Sequence, residues 1–330
     1  MGENNVQEIK CESVKDFIQK ISYGGDLYKL ISGKYIYRGE SSDKYKLIPS
    51  ALRPGNHKDL VDLVTNFLPQ YKYANENSEC FQMAAEFTSL NIFYMLSDYR
   101  GLDIPNIDDF RNKLIGLKNL YDFIYGSPTW LPLKYIELAG LAQHYGVKTR
   151  LLDWSQDINV AIYFAISGLM KFEKLKKPKE VEYPKYIVLW VLDTTIFKAP
   201  EENTPSIFLY TPKYAGNPNL CAQKGVFSVN CIYNDYPGIY ANDFTKADKE
   251  TKSLDDIIKE IKREEDSSNE EPILYKILIP TPQDDELYNY LANNGYDASL
   301  IFPGYDGVTK TIKDELYWKK LKRKNEQESK

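Results

Sequence analysis

Residues 186–192 read Tyr-Ile-Val-Leu-Trp-Val-Leu, a continuous apolar run far too short to span a bilayer. A run of this length is typical of a β-strand that is buried on both faces. Tight turns flank several other apolar stretches, and no regular strand–helix–strand unit connects them. The fold class is therefore predicted as α+β, with mixed, mostly antiparallel sheets flanked by helices. Further strands are expected at residues 34–38, 225–231, 273–279 and 299–302.

Helices are expected where apolar residues recur with a period near 3.6. This pattern dominates residues 57–130, which we interpret as a helical insert or subdomain within one domain of residues 1–330. Residues 147–156 are expected to form a loop. Other helices are predicted at residues 134–145, 157–173, 284–294 and 307–324.

The composition of the 330 residues excludes several classes of function. A formal net charge of -5 does not indicate a basic face for a phosphate backbone, so nucleic acid is not an expected partner, while a local basic patch stays open. Four cysteines and two histidines show no metal-ligand spacing, so no metal site is expected. The N-terminal residues hold no apolar leader and no apolar run reaches membrane-spanning length, which predicts a cytoplasmic protein without membrane partners.

Residues 35–40 read Tyr-Ile-Tyr-Arg-Gly-Glu and place an Arg beside aromatic and apolar neighbours. The planar guanidinium of Arg38, at the end of a strand, suits a phosphate or a carboxylate, and Gly39 lets a ligand approach the backbone. An ion pair between Arg38 and Glu40 at a turn explains the same residues without a ligand. Both interpretations remain open at this stage.

A second segment, residues 144–155, is denser in polar and aromatic groups. Arg150 and Asp153 are expected to form an internal ion pair that braces the loop. Ser155 is a candidate cap for the next helix, and Trp154 is a candidate core residue. The N-terminus of that helix is also an anion site in principle, because its first N–H groups lack partners.

Three further residues complete the candidate site. Tyr163 and Phe164, on the early turns of the predicted helix, either stack on a flat ring or belong to the core. Gln223 precedes the strand expected at residues 225–231, where its amide binds either a ribose hydroxyl or backbone groups.

Together these segments resemble the FRG domain family, whose Phe/Tyr-Arg-Gly signature corresponds to residues 37–39. The resemblance spans about residues 35–315 in the family's order, and none of its motifs falls in residues 57–130. The family itself is poorly characterised, so the resemblance alone does not imply an activity. The remaining motifs correspond to residues 143–146, 149–154, 161–165, 222–227, 302–303 and 306–307.

A weaker similarity, to the ADP-ribosyltransferase fold, implies a mechanism. In that fold a strand Arg binds NAD, the next Gly meets the nicotinamide amide through its backbone, a turn Ser orders the site and a late Glu holds the ribose hydroxyl. The similarity implies NAD as the substrate. The implied catalytic residues are Arg38, Ser155 and Gln223, and the implied nucleotide-binding residues are Arg38, Gly39, Asp153, Trp154, Tyr163 and Phe164.

Gln223 departs from that fold, which has Glu at the corresponding place. Cleavage of the nicotinamide–ribose bond passes through an oxocarbenium-like state that a carboxylate stabilises, and an amide lacks the charge. The similarity therefore implies a slower transferase, or a transferase or NAD glycohydrolase that uses Glu40 or Asp153, and the alternative is a non-catalytic nucleotide- or sugar-binding module. A hydrolase with Asp153 and a second carboxylate is the last alternative. A role as a toxin or defence effector follows by analogy alone, and the sequence does not indicate the acceptor or the oligomeric state.

Overall fold

The computed structural model describes residues 5–69, 75–107, 110, 129–174, 183–197, 207–230, 232–233, 252–261, 271–282 and 285–328. The strands are β1 Val6–Lys10, β2 Tyr35–Glu40, β3 Thr129–Trp130, β4 Leu151–Ser155, β5 Tyr186–Asp193, β6 Ile207–Tyr210, β7 Gly225–Asn230, β8 Ile232–Tyr233 and β9 Leu274–Pro280. The helices are α1 Val14–Ile21, α2 His57–Phe67, α3 Glu79–Tyr99, α4 Leu133–His144, α5 Ile158–Lys174, α6 Pro218–Ala222, α7 Leu254–Glu260, α8 Glu286–Asn293, α9 Ala298–Ile301 and α10 Tyr305–Glu328.

A seven-stranded sheet with the order β1-β9-β5-β2-β4-β7-β6 forms the centre of the fold. The pair β1–β9 is parallel, and the other neighbours in this sheet are antiparallel. A separate antiparallel pair joins β3 and β8. Helices flank the large sheet, so the predicted α+β class is confirmed.

Strand β5 is buried on both faces, as its apolar sequence predicts. Its odd-numbered residues, among them Leu189 and Val191, pack with the helices α1, α5, α8 and α10. Its even-numbered residues, among them Trp190 and Leu192, face a second core to which α7 contributes Leu254 and Ile258. Alternation of side chains along a strand explains this division, because successive residues point to opposite faces.

Helices α2 and α3 lie in the predicted insert and pack with α4 in a third core. That core also receives Leu151 from β4 and Phe227 from β7, so these helices cover one half of the sheet. Residues 70–74, 108–109 and 111–128 of the predicted insert lie outside the described residues, and the division into a domain and an insert stays a prediction. In the described part of the chain, no helix has the length and apolarity to cross a membrane.

The strand pair β2–β4 is joined at one position, where Tyr37 lies opposite Ser155. Beyond it, residues 38–40 continue to pair with β5, and residues 152–154 continue to pair with β7. The two strands therefore diverge in the middle of the sheet. We call the space between residues 38–40 and 152–154 the β2–β4 gap.

Two local predictions are wrong. The expected loop at residues 147–156 contains strand β4, which pairs with β7 along its whole length. The side chains of β4 alternate between two cores, since Leu152 and Trp154 face one and Leu151 faces the other. The expected strand at residues 299–302 is the short helix α9, which Asp297 caps by accepting a hydrogen bond from the Leu300 N–H.

Candidate functional site

A cavity of about 1000 Å³ lies at the β2–β4 gap. Helix α5 lines one side of it with Ala161 and Phe164, and α4 lines another with Gln143 and His144. The sheet contributes residues of β2, β4 and β7. The cavity thus brings together segments that are more than 100 residues apart in the chain. Of the predicted site residues, it is lined by Arg38, Gly39, Asp153, Trp154, Ser155, Phe164 and Gln223, but not by Tyr163.

Arg38 forms an ion pair with Glu40, one of the two interpretations that the sequence allowed. Its Nε lies 2.8 Å from Glu40 Oε1, and its Nη2 lies 2.7 Å from the same oxygen. Its Nη1 donates a hydrogen bond to the backbone carbonyl of Asp153 at 2.7 Å. Burial alone would lower the pKa of Arg38, but the carboxylates of Glu40 and Asp153 outweigh it and raise that pKa. Arg38 therefore bridges the gap between the two strands while lining the cavity.

Gly39 is required by the packing of α5 on β2. A Cβ at this position would lie 1.8 Å from the carbonyl oxygen of Ala161 and 2.8 Å from the backbone nitrogen of Ala165. The space over its Cα is thus filled by a helix of the protein rather than left open for a ligand. This packing explains the glycine without the predicted contact to nicotinamide, which stays a prediction.

Asp153 places a carboxylate in the cavity, where its side chain is exposed. Gln143 Nε2 donates a hydrogen bond to its Oδ1 at 2.6 Å. Desolvation by the surrounding protein raises the pKa of Asp153, and Arg38 and Gln143 offset part of that rise. A carboxyl group with a raised pKa that faces a cavity is a candidate for proton transfer or charge stabilisation.

The predicted ion pair between Arg150 and Asp153 is wrong. Arg150 is buried, and its Nε and Nη2 bind Glu86 at 2.7 and 2.9 Å while Nη2 also lies 2.9 Å from Glu79. Trp130 donates a further hydrogen bond to Glu86 at 2.7 Å. Arg150 immediately precedes β4, and the two carboxylates of α3 take up its guanidinium. Arg150 thus ties β4 to α3.

Ser155 and Gln223 are joined to each other by the fold. The Ser155 hydroxyl donates to the backbone carbonyl of Gln223 at 2.7 Å and accepts from the Asp157 N–H at 2.9 Å. The Gln223 amide donates to the carbonyl of Ile301 at 3.3 Å. Both residues line the cavity, but these bonds connect β4, the start of α5 and the turn before β7. Their roles at a ribose stay predictions.

The three aromatic residues of the candidate site have different placements. Trp154 is 3% exposed, and its Nε1 donates to Ser228 Oγ at 2.9 Å, as the core interpretation predicts. Tyr163 is 1% exposed, and its hydroxyl donates to Asp314 on α10 at 2.6 Å. This burial outside the cavity lining argues against stacking on a base. Phe164, which follows it on α5, is 36% exposed and faces the cavity.

A cationic part of the cavity wall was missed by the sequence analysis. Lys44, Lys46 and Arg53 line the cavity from the segment between β2 and α2. Lys46 forms an ion pair with Asp256 on α7 at 2.7 Å, and Arg53 Nε donates to the Ile48 carbonyl at 2.9 Å. Single basic residues spread over ten positions give no motif, so only their convergence in space identifies them.

The comparisons with known proteins give one match. The FRG domain family matches residues 109–174, about a fifth of the chain, and no curated protein or solved structure matches. The match begins inside residues 57–130, where no motif had been recognised, and it includes α4, β4 and α5. It does not extend to residues 37–39 or to the later motifs, which stay predictions. Over residues 109–174 the chain is therefore similar to the FRG domain.

Proposed function

We propose that the cavity at the β2–β4 gap binds NAD or a related nucleotide, and that the chain cleaves the nicotinamide–ribose bond in the manner of an ADP-ribosyltransferase or NAD glycohydrolase. The observation that carries this proposal is the meeting of a cationic wall, an aromatic wall and the Asp153 carboxylate in one cavity. Its volume of about 1000 Å³ suits a ligand of this size.

The charges of the cavity favour an anionic ligand. Arg38, Lys44, Lys46 and Arg53 give four formal positive charges in its lining, against two negative charges from Glu40 and Asp153. The whole chain has a formal net charge of -5, so the formal charge of the cavity lining is opposite in sign to that of the whole chain. Phosphate groups are bound by such clusters of Lys and Arg.

The aromatic wall favours a ligand with a flat ring. The rings of Phe164 and Phe302 meet edge to face with centroids 5.9 Å apart, and both residues line the cavity. Tyr45 and Phe172, which also line it, stack at 6.4 Å. An adenine or nicotinamide ring fits against such surfaces, because aromatic pairs gain free energy beyond the area that they bury.

Asp153 supplies the negative charge that Gln223 lacks. As the C–N bond breaks, its electron pair leaves with nicotinamide and positive charge develops on the ribose C1′. In our proposal the Asp153 carboxylate stabilises that charge and accepts the proton of the attacking water or acceptor hydroxyl. Glu40, paired with Arg38, lies close enough to influence the pKa of Asp153 and adds negative charge to the same site.

The test incubates the purified chain with NAD and follows free nicotinamide. We expect Asp153→Asn to reduce the rate at least about 100-fold, as the loss of one electrostatic stabiliser does in other enzymes, while calorimetry shows NAD binding retained. Asp62→Asn, a change of the same kind at an exposed position on α2, serves as the control. Saturable NAD binding without nicotinamide release would indicate a non-catalytic binding module. Absence of binding by any nucleotide would contradict the proposal entirely.

A further inference from the structure

A chain of hydrogen bonds runs from the backbone of β4 back to the carboxylate of Asp153. The Leu151 N–H donates to Thr149 Oγ1 at 3.3 Å, and Thr149 Oγ1 contacts Gln143 Oε1. Gln143 Nε2 then donates to Asp153 Oδ1 at 2.6 Å. Gln143 belongs to the predicted FRG motifs, but neither the ADP-ribosyltransferase similarity nor the proposed reaction gives it a role.

The direction of these bonds follows from the carboxylate. An ionised carboxylate only accepts, so the NH₂ group of Gln143 faces Asp153. The Gln143 carbonyl then faces Thr149, whose hydroxyl donates to it and accepts from the Leu151 N–H. The reverse orientation of the amide would place its carbonyl oxygen against the Asp153 carboxylate, two acceptors in contact.

The base of this chain is fixed to the backbone. Thr149 is 2% exposed, and its N–H donates to Ser50 Oγ at 3.0 Å while its carbonyl accepts from that hydroxyl at 3.1 Å. The Ala51 N–H donates to the same carbonyl at 2.9 Å. Gln143 itself lies in the last turn of α4. The amide is therefore held between two ordered segments.

We propose that Gln143 is a positioning residue that holds the Asp153 carboxylate by its Oδ1 and presents Oδ2 to the ligand, with Thr149 orienting the amide. Among the residues that the structure describes, no side chain donates a hydrogen bond to Oδ2. The link to a reaction rests on the proposed function, whereas the control of the carboxylate by Gln143 does not.

The surroundings of Asp153 allow the effect of Gln143 to be isolated. The charged groups that act on its pKa are Arg38 and Glu40 on β2. The cavity lining also contains His144, next to Gln143 on α4, and the cations Lys44, Lys46 and Arg53. Helix α5 and strand β7 line the cavity with Val160, Ala161, Phe164 and Phe227, which are apolar. Replacing Gln143 by an apolar residue thus changes a hydrogen bond and no charge.

The experiment measures the ionisation of Asp153 directly. In the full chain, ¹³C-labelled Asp carboxyl carbons are titrated by NMR, with Asp153→Asn to assign the signal. We expect Gln143→Met to raise the pKa of Asp153 by on the order of one unit, because the amide hydrogen bond favours the charged form. Thr149→Val, which removes only the orienting hydroxyl, should shift that pKa in the same direction by less. Gln19→Met, the same change at an exposed position on α1, should leave it unchanged.

Two results would overturn the role of Gln143. One is an unchanged Asp153 titration in a folded Gln143→Met variant. If that variant does not fold, an unchanged titration in Thr149→Val has the same meaning. The titration also separates this inference from the proposed function. A shift in the pKa of Asp153 without any NAD binding would support the positioning role of Gln143 and contradict the nucleotide ligand. NAD turnover without a shift in that pKa would support the nucleotide ligand and contradict the positioning role.

Discussion

Gly39 is required by the packing of α5 on β2, although its position after Arg38 suggested a contact to a ligand. We expect Gly39→Ala to lower the free energy of unfolding by at least about 2 kcal/mol, because its Cβ would overlap the backbone of α5 at Ala161. Urea unfolding followed by circular dichroism measures the change. Gly33→Ala is the matched control, since a Cβ there meets nothing within 4 Å. Equal stability of the two variants would show that α5 does not press on β2 at this point.

Arg150 is the most heavily bonded buried cation of the described residues. Arg150→Met should lower the free energy of unfolding by about 3–5 kcal/mol, because it leaves the Glu86 carboxylate buried without its partner. Adding Glu86→Gln should recover part of the loss, since the amide carries no charge. Lys319→Met removes an exposed pair with Glu315 and should change the free energy by less than about 1 kcal/mol. A single variant as stable as the wild type would contradict the assigned network.

The pKa of Asp153 sets the expected pH dependence of the proposed reaction. Desolvation by the cavity walls raises that pKa above its ordinary value, so the carboxylate becomes protonated at a higher pH than a fully hydrated Asp does. Nicotinamide release should therefore fall as the pH decreases through the raised pKa. A profile of kcat/KM against pH tests this in the free protein. If nicotinamide release persists down to the pH at which an ordinary Asp carboxyl becomes protonated, a group other than Asp153 stabilises the charge and accepts the proton.

At the scale of elements, α5 presents two aromatic neighbours to different surroundings. Tyr163→Phe removes the hydrogen bond to Asp314 on α10 and should cost about 1–2 kcal/mol of stability without changing NAD affinity. Phe164→Ala removes a ring that faces the cavity and should weaken NAD binding roughly five- to tenfold. Chemical denaturation and calorimetry on both variants separate the two effects. Weaker NAD binding by Tyr163→Phe alone would show that the Tyr163 hydroxyl acts on the ligand site and would contradict its purely structural role.

The strand pair β2–β4 explains why the cavity lies where it does. One residue pair joins the two strands, and each then follows its other neighbour, β5 or β7. Helix α5 packs against β2, and α4 packs in the core that includes β4 and β7, so the two halves of the sheet carry separate helical layers. The cavity occupies the space that neither layer fills. Arg38 spans that space from β2 to the Asp153 carbonyl.

At the scale of the whole molecule, the charge of the cavity is independent of the net charge of the chain. The chain as a whole is acidic, with a formal net charge of -5. Folding gathers Arg38, Lys44, Lys46 and Arg53 around one cavity. An argument from net charge therefore bears on extended polyanions, whereas a small anionic ligand responds to the local cluster.

The sequence by itself determined the elements whose patterns are local. The continuous apolar run of residues 186–192 identifies the central strand β5, because both of its faces are buried. The α+β class followed from the irregular succession of such elements. The start of β2 and the end of α4 near Gly146 were also predicted from the chain alone. Arg38 and Asp153 were named as candidates in the same way, and their roles stay predictions.

Only the tertiary structure decided which of these residues meet. Arg150 pairs with Glu79 and Glu86, more than 60 residues away, and Gln143 rather than Arg150 holds Asp153. Burial of Tyr163 and exposure of Phe164 depend on where α10 packs, which no local pattern encodes. The physical reason is that partners are chosen by distance after folding, whereas a sequence pattern reports only neighbours along the chain.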